Sequence, residues 1–351
     1  MNRFSSRFGD GFSTEANPAI KQQLLSSEML PLETHSNHNQ MAMAVRPMKT
    51  NLHEWLAVDW SYASFAKARK MLLDTRRDQV IAHRKCEGRD EEVEKACKEV
   101  LEMVIQHLTT KYPQFFQKSG TKVHNALTGE TFDTKHTSLS PLEIAVRLAI
   151  EDFNILLPRE IQTEKGTEIQ YQLAATATLF PAAWIIKEKV GTRVVDLHTP
   201  VPGWHEKLAI AVESRLKKIG FGINGKGEKS TNEQMERLVV FPQIDQPNFD
   251  LGELLFVQDG DKFYPPGVEP NPSTMLFRRE RQTARRISSV NGVLFSVRTS
   301  IQFFDEVEKE ELAATLEQVM KLAESHATYK ARDRWLPCLQ KYAEEKFGWK
   351  V

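Results

Sequence analysis

The chain has little that would place it outside the cell, in a membrane or on nucleic acid. It has 3 cysteines in 351 residues. Cys86, Cys97 and Cys338 form no CxxC pair and cannot all pair with one another, so a disulfide framework and an iron–sulfur site are excluded. No stretch approaches the roughly 18 apolar residues that a membrane span needs. The most apolar segment, 174–186, is interrupted by Thr176, Thr178 and Pro181. The first thirty residues carry no basic-then-apolar signal pattern. Net charge is absent too: 47 Lys and Arg balance 47 Asp and Glu, leaving no field to attract nucleic acid or an acidic bilayer. A reduced, cytoplasmic, globular protein is expected.

Residues 1–45 are rich in Ser, Asn and Gln and hold no sustained period, which predicts a disordered tail with at most a short helix over 19–29. Order is expected from Arg46-Pro47. Helix is expected over 62–84. The apolar stripe Val93, Ala96, Cys97, Val100, Leu101, Val104, Ile105, Leu108 predicts a second helix over 91–111. Ser140-Pro141-Leu142-Glu143 is a capping box, and the helix it opens is expected to run to Leu157, before Pro158. Strands are expected near 171–179, 193–197, 238–244, 253–257, 275–282 and 292–301, with a helix through Leu208, Val212, Leu216 and Ile219 between two of them. Two helices, 306–327 and 334–346, close the chain. Helices, then strands, then helices predict an α+β fold with an antiparallel sheet. The divisions are a helical part at 46–158, a sheet core at 159–304 and a helical end at 305–351.

Some motifs fail on context. Gly220-Phe-Gly222-Ile-Asn-Gly225 spells GxGxxG, but a helix precedes it where a strand is required, so a helix end and surface loop is the better reading. Glu228 spoils a near phosphate loop. His35 and His38 have no metal-ligand spacing, and neither HExxH nor GxSxG occurs.

Three segments are chemically unusual. In Asp196-Leu-His198-Thr-Pro200-Val-Pro202-Gly203-Trp204, a histidine expected at a strand end is followed by two prolines that restrict the backbone. A fixed imidazole suits an axial metal ligand or a general base, and equally a half-buried structural histidine. In Leu276-Phe-Arg278-Arg279-Glu280-Arg281-Gln282-Thr283, strand alternation puts Arg278, Glu280 and Gln282 on one face, and Arg279 and Arg281 on the other. Arginine on both faces suits an Arg–Glu network beside a carboxylate or phosphate, or a charged edge strand. Leu179-Phe-Pro181-Ala-Ala-Trp184 is a strand running into a buried turn.

In order, these segments resemble the haem-dependent oxidative N-demethylase family from Trp55 to the C-terminus. The motifs are Glu151-Asp152-Phe153, expected on the third helix, Phe180-Pro181-x-x-Trp184 with Lys187-Glu188-Lys189-x-Gly191, His198-x-Pro200-Val201-Pro202, Arg278-x-Glu280-Arg281-Gln282-Thr283, Leu294-Phe295-x-x-Arg298-Thr299 and Tyr329-Lys330. The resemblance implies a PAS-like antiparallel sheet wrapped by helices and holding a b-type haem (heme b). It implies a monooxygenase that oxidises an N-methyl group with dioxygen (O2), the carbinolamine collapsing to formaldehyde and the shortened amine. His198 is then the iron ligand, Arg278, Arg281 and Arg298 anchor the propionates or order that side of the pocket, Gln282 belongs to the same cofactor-binding segment, and Glu280 orients an arginine. The chain carries no nicotinamide, flavin or iron–sulfur motif, so electrons would come from an external reductase or ferredoxin, or peroxide would stand in. Arg237-Leu238-Val239-Val240 replaces the family's Arg-x-Asn-aromatic motif, and Ser300 an aromatic residue. These departures leave the substrate open between a small dimethylated amine and a larger, apolar metabolite. Competing expectations are a non-catalytic haem sensor, a scaffold without haem, and thiolate ligation by Cys338.

Overall fold

The computed structural model describes residues 3–12, 18–25, 46–47, 55–83, 90–164, 166–224, 226–229, 234–259 and 263–349. The segment 26–45 with His35 and His38, and also Cys86 and Gly225, lie outside the described residues.

The N-terminus departs from the expected tail. Arg3–Phe8 forms helix α1 and Pro18–Leu25 forms α2. Phe4, Phe8 and Phe12 recur every four residues. Phe4 is buried, stacking on Phe65 at 5.8 Å and meeting Trp60 edge-on. Arg7 grips Asp245 at 3.1 Å, and Arg3 pairs with Asp305. Gly11 (φ +74°) lies so close to Ser64 that a Cβ there would stand 2.2 Å from its backbone nitrogen. An aromatic stripe and two arginines therefore dock a segment whose overall composition is polar.

Strand β1 (Arg46–Pro47) is followed by α3 (Tyr62–Val80), β2 (Ile81–His83) and α4 (Asp90–Lys111). The α4 stripe is buried at all eight expected positions. A small sheet that the sequence did not announce follows, β3 (Phe116–Ser119), β4 (Lys122–Asn125) and β5 (Glu130–Asp133). Its turns use Gly120 and Gly129 at positive φ.

Helix α5 (Pro141–Leu148) has the expected cap, Ser140 Oγ accepting from the Glu143 amide at 3.2 Å. It ends nine residues before the expected stop. Ile150, Phe153 and Ile155 favour an extended chain, and β6 (Glu151–Thr163) carries Glu151-Asp152-Phe153 on a strand instead of a helix. Pro158 is tolerated within β6 because pairing with the neighbouring strand ends at Leu156, so one edge needs no donor there.

Next come β7 (Gly166–Ala177), the short helices α6 (Ile186–Lys189) and α7 (Val194–Leu197), a π-helical turn (Trp204–Leu208), α8 (Ala209–Phe221), β8 (Met235–Ile244) and α9 (Leu251–Leu255). Two expected strands are helices. In α7, Val194 and Leu197 are buried three residues apart. In α9, the Asp250 side chain caps the Glu253 amide at 2.9 Å. The chain then forms β9 (Met275–Ile287) and β10 (Gly292–Phe303), and closes with α10 (Lys309–Met320), α11 (Glu324–Tyr329) and α12 (Arg332–Phe347).

The main sheet is antiparallel, in the order β1-β8-β9-β10-β6-β7-β2. The fold is α+β, as expected. Helices α3, α4 and α5 share one large core cluster with Phe153, Ile155 and Leu294. Helices α10 and α12 build a second around Trp335 and Phe277. A third joins α7 and α8 to Leu173, Ala284 and Val293. Among the described residues, no helix is long and apolar enough to cross a membrane.

Candidate functional site

A cavity of about 240 Å³ opens between the sheet and the segment running from α6 to α8, with α11 at its rim. The register explains its floor. Arg237 pairs with Gln282, Val239 with Glu280, Val297 with Gln282 and Phe295 with Ala284. Neighbouring strands in register present the same face, so these residues, with Asn154 and Leu156 of β6, line the cavity together. The roof is apolar: Val201, Trp204, Val212 and Leu216.

His198 forms part of this wall. It follows α7 at φ −106°, ψ 21°, in the sparsely occupied bridge region. Its carbonyl accepts from the Val201 amide at 2.8 Å, which folds the proline-bearing loop back on itself. The ring is flanked by Trp204 at 4.6 Å and Trp184 at 5.2 Å. Its Nδ1 is buried and makes no hydrogen bond. Burial first, then the cations Arg237 and Lys189, push the imidazole pKa down to about 4, with only the Val194 backbone opposing them. The ring is therefore neutral at physiological pH and keeps one lone pair, as a metal ligand requires.

The polar end holds Glu280, Gln282, Arg237, His326, Tyr329 and Lys330. Gln282 donates to Glu280 at 3.0 Å and accepts from Arg237 Nε at 2.9 Å. Arg278 pairs with Glu280 at 3.2 Å from below. Burial, then Arg237, lower the Lys330 pKa to about 8.

Of the expected site residues, His198, Glu280 and Gln282 border the cavity. The three arginines do not. Arg278 is fully buried and donates to the carbonyls of Leu255 and Phe180. Arg281 and Arg298 lie one residue out of phase with the cavity face. Arg281 pairs with Glu236 at 3.2 Å, and Arg298 with Asp59 at 2.8 Å. Cys338 packs beside Trp335 and Leu339 in the C-terminal cluster and does not line the cavity. Burial raises its thiol to about 11, so the structure does not support thiolate ligation in the cavity by Cys338. Among the described residues no cluster of His, Cys, Asp and Glu forms a metal cage. Arg237, Lys189, His326 and Asn154 were not singled out as site residues. Alternation along Met235, Arg237, Val239 and Phe241 was the available signal.

A family model described as haem-dependent oxidative N-demethylase, alpha subunit-like, matches residues 44–339. The chain belongs to this family. No curated protein matches it. The demethylase-like family model spans the whole cavity, from Asp152 to Lys330, and leaves α1 and α2 outside the match. A haem held by histidine needs an unprotonated imidazole nitrogen at an apolar slot, and its propionates are suited by cations at one end. The His198 imidazole, the Trp184–Trp204 pair, the apolar roof and the Arg237–Lys330 end fit that description.

Proposed function

We propose that residues 46–351 form a single haem-binding domain, PAS-like in its sheet, that holds a b-type haem through His198 and oxidises an N-methyl group of an amine. The observation that carries this reading is the buried, neutral His198 imidazole, its Nδ1 without a hydrogen bond, in the cavity of a chain from a haem-dependent family. When bound, the haem supplies oxidation of a substrate C–H bond by dioxygen, releasing formaldehyde, with electrons from an external reductase or ferredoxin.

The chain's own residues do the rest. Trp204 and Trp184 fix the imidazole plane, and the Pro200–Pro202 loop fixes its depth. Val201, Val212, Leu216, Phe295 and Val297 exclude water from the slot. Burial keeps His198 unprotonated, so a lone pair stays available down to mildly acidic pH. Val239 stands at the cavity where the family motif places an amide. That favours an amine larger and more apolar than dimethylamine. The buried free thiols of Cys97 and Cys338 suit a reducing, cytoplasmic setting.

The test is the visible spectrum of the full chain, ferric and then dithionite-reduced under carbon monoxide, for wild type and His198→Ala. The expected result is a histidine-type Soret band that responds to both treatments and is lost or shifted in the variant. No Soret band after reconstitution overturns the reading, and an unaltered spectrum in His198→Ala overturns the ligand. A sensor is the second reading, favoured by His326, a second imidazole on the same cavity. A six-coordinate spectrum indifferent to carbon monoxide, with no formaldehyde from a panel of N-methylamines, would select it.

A further inference from the structure

The turn after α11 is built at a cost. Ala331 sits at φ +50°, ψ +37°, the left-handed region that residues other than glycine avoid. The packing imposes it. Trp335, fully buried at the start of α12, donates its indole N–H to the Lys330 carbonyl at 2.9 Å. The Lys330 amide donates to the His326 carbonyl at 3.0 Å, and the Ala331 amide to Thr328 at 2.9 Å. Backbone strain held this way persists where a side chain must be aimed. Here the aimed side chain is Lys330, whose Nζ lies 5.2 Å over the Phe241 ring at the cavity wall.

Lys330 faces Arg237, a like charge, and Glu280, an opposite one. Arg237 borders the same end of the cavity, and the repulsion contributes to lowering the lysine's proton affinity. The nearest carboxylate in the wall, Glu280, is already engaged by Arg278 at 3.2 Å and by Gln282 at 3.0 Å. Two cations brought to one end of the cavity, one of them by a strained turn, beside a carboxylate that Arg278 and Gln282 already hold, describe a receptor for an anion that enters with its apolar body towards Val212 and Leu216.

We propose that Arg237 and Lys330 form a carboxylate clamp, with Ala331 and Trp335 as its positioning residues. The carboxylate comes from a haem propionate or from an acidic substrate such as an N-methylated amino acid. The clamp replaces Arg281 and Arg298 as the anion-holding pair. The first source rests on the haem reading above, but the clamp itself can be tested without iron.

The full chain, expressed under iron limitation, is titrated with protoporphyrin IX and with its dimethyl ester, following quenching of Trp184 and Trp204. If propionates are held, wild type binds the diacid about tenfold or more tighter than the ester. Lys330→Met and Arg237→Gln close that gap without weakening ester binding. Lys330→Arg restores it. If diacid and ester bind alike, the haem-loaded protein is titrated with N-methylalanine and its methyl ester, reading the Soret shift. A preference for the acid that Lys330→Met abolishes assigns the clamp to substrate. No preference for the free acid in either series overturns the proposal. A clamp-dependent porphyrin preference without a histidine-type Soret band would leave the clamp standing and remove the oxygenase reading instead.

Discussion

The indole of Trp204 lies 4.6 Å from the His198 imidazole, centroid to centroid, and spends its own N–H on the Val195 carbonyl at 2.6 Å. It shields the imidazole without offering it a hydrogen bond. The proton-binding consequence has a definite sign. In the fold His198 titrates at about 4, against an ordinary 6.5. Between those values the unfolded chain binds the extra proton, so the stabilisation is present above pH 6.5 and is lost as pH falls towards 4. The loss has an upper bound on the order of 3 kcal/mol. Urea unfolding of the haem-free chain should show a steeper fall from pH 7 to pH 5 for wild type than for His198→Phe. Equal slopes would assign the acid sensitivity elsewhere.

Glu213 behaves oppositely. It lies on α8, away from the cavity lining, and accepts the Tyr171 amide at 3.1 Å. Burial raises its pKa to about 7 against the Tyr171 amide, Lys217 and Arg193. A carboxyl raised in the fold contributes stability that is complete below its ordinary 4.5 and is lost as pH rises through 7. Glu213→Gln keeps an acceptor and removes the charge. The variant should match wild type in thermal unfolding near pH 5 and exceed it at pH 8.5 by up to about 3 kcal/mol. A wild type that is the more stable at pH 8.5 would contradict this.

Asp152 joins α3, β6 and the turn before Trp184. It takes Arg69 at 2.7 Å and the amides of Leu179 and Phe180 at 2.9 and 3.0 Å. Both side chains are 1% exposed. Asp152→Ala would strand a buried guanidinium, at a cost of about 3–5 kcal/mol in denaturant unfolding. A loss below 1 kcal/mol would mean that Arg69 finds another partner.

The N-terminal strap is structural. Removing residues 1–12 exposes the Phe4 site and breaks the Arg7–Asp245 pair, so thermal unfolding should drop by several degrees. Phe4→Ala alone should cost about 3 kcal/mol. Neither change should alter porphyrin affinity, because the strap does not touch the cavity. An affinity change would show that the strap reaches the site through the sheet.

Gly220 answers the GxGxxG match in structural terms. A Cβ there would stand 1.8 Å from the Tyr171 hydroxyl and 2.4 Å from the Asn291 carbonyl oxygen. Gly222 ends α8 at φ +62° as its left-handed cap. The glycines serve helix packing and termination, as the preceding helix implied. Gly220→Ala should destabilise by about 1–3 kcal/mol in urea unfolding. A neutral result would mean that Tyr171 yields freely.

Local codes carried much of the fold. The α4 stripe, the Ser140 cap and the alternation in β9 each state their structure within a few residues. His198 stood out because two prolines mark its loop. Arginine content says nothing about which face a strand turns inward: Arg281 and Arg298 fall out of phase with the cavity, and Arg278 reaches its wall only through Glu280. Arg237 stood in a departing motif, but its place on the cavity face follows from its register partner, Gln282, 45 residues later. Glu151-Asp152-Phe153 was read as helix because a strong N-cap gives no information on where a helix stops. The strap was missed because three phenylalanines among many polar residues barely move a composition.

The ion pair of Arg298 with Asp59 spans 239 residues, and Arg3 finds its partners at 305 and 306. During synthesis the first structured segments therefore emerge long before the residues that receive them. The Trp55 indole, which donates to Ser296, and the Arg3 side chain meet these partners only after β10 has been made, and such distant pairings close slowly. The seven-stranded sheet is thus completed only when β10, ending at Phe303, has been made.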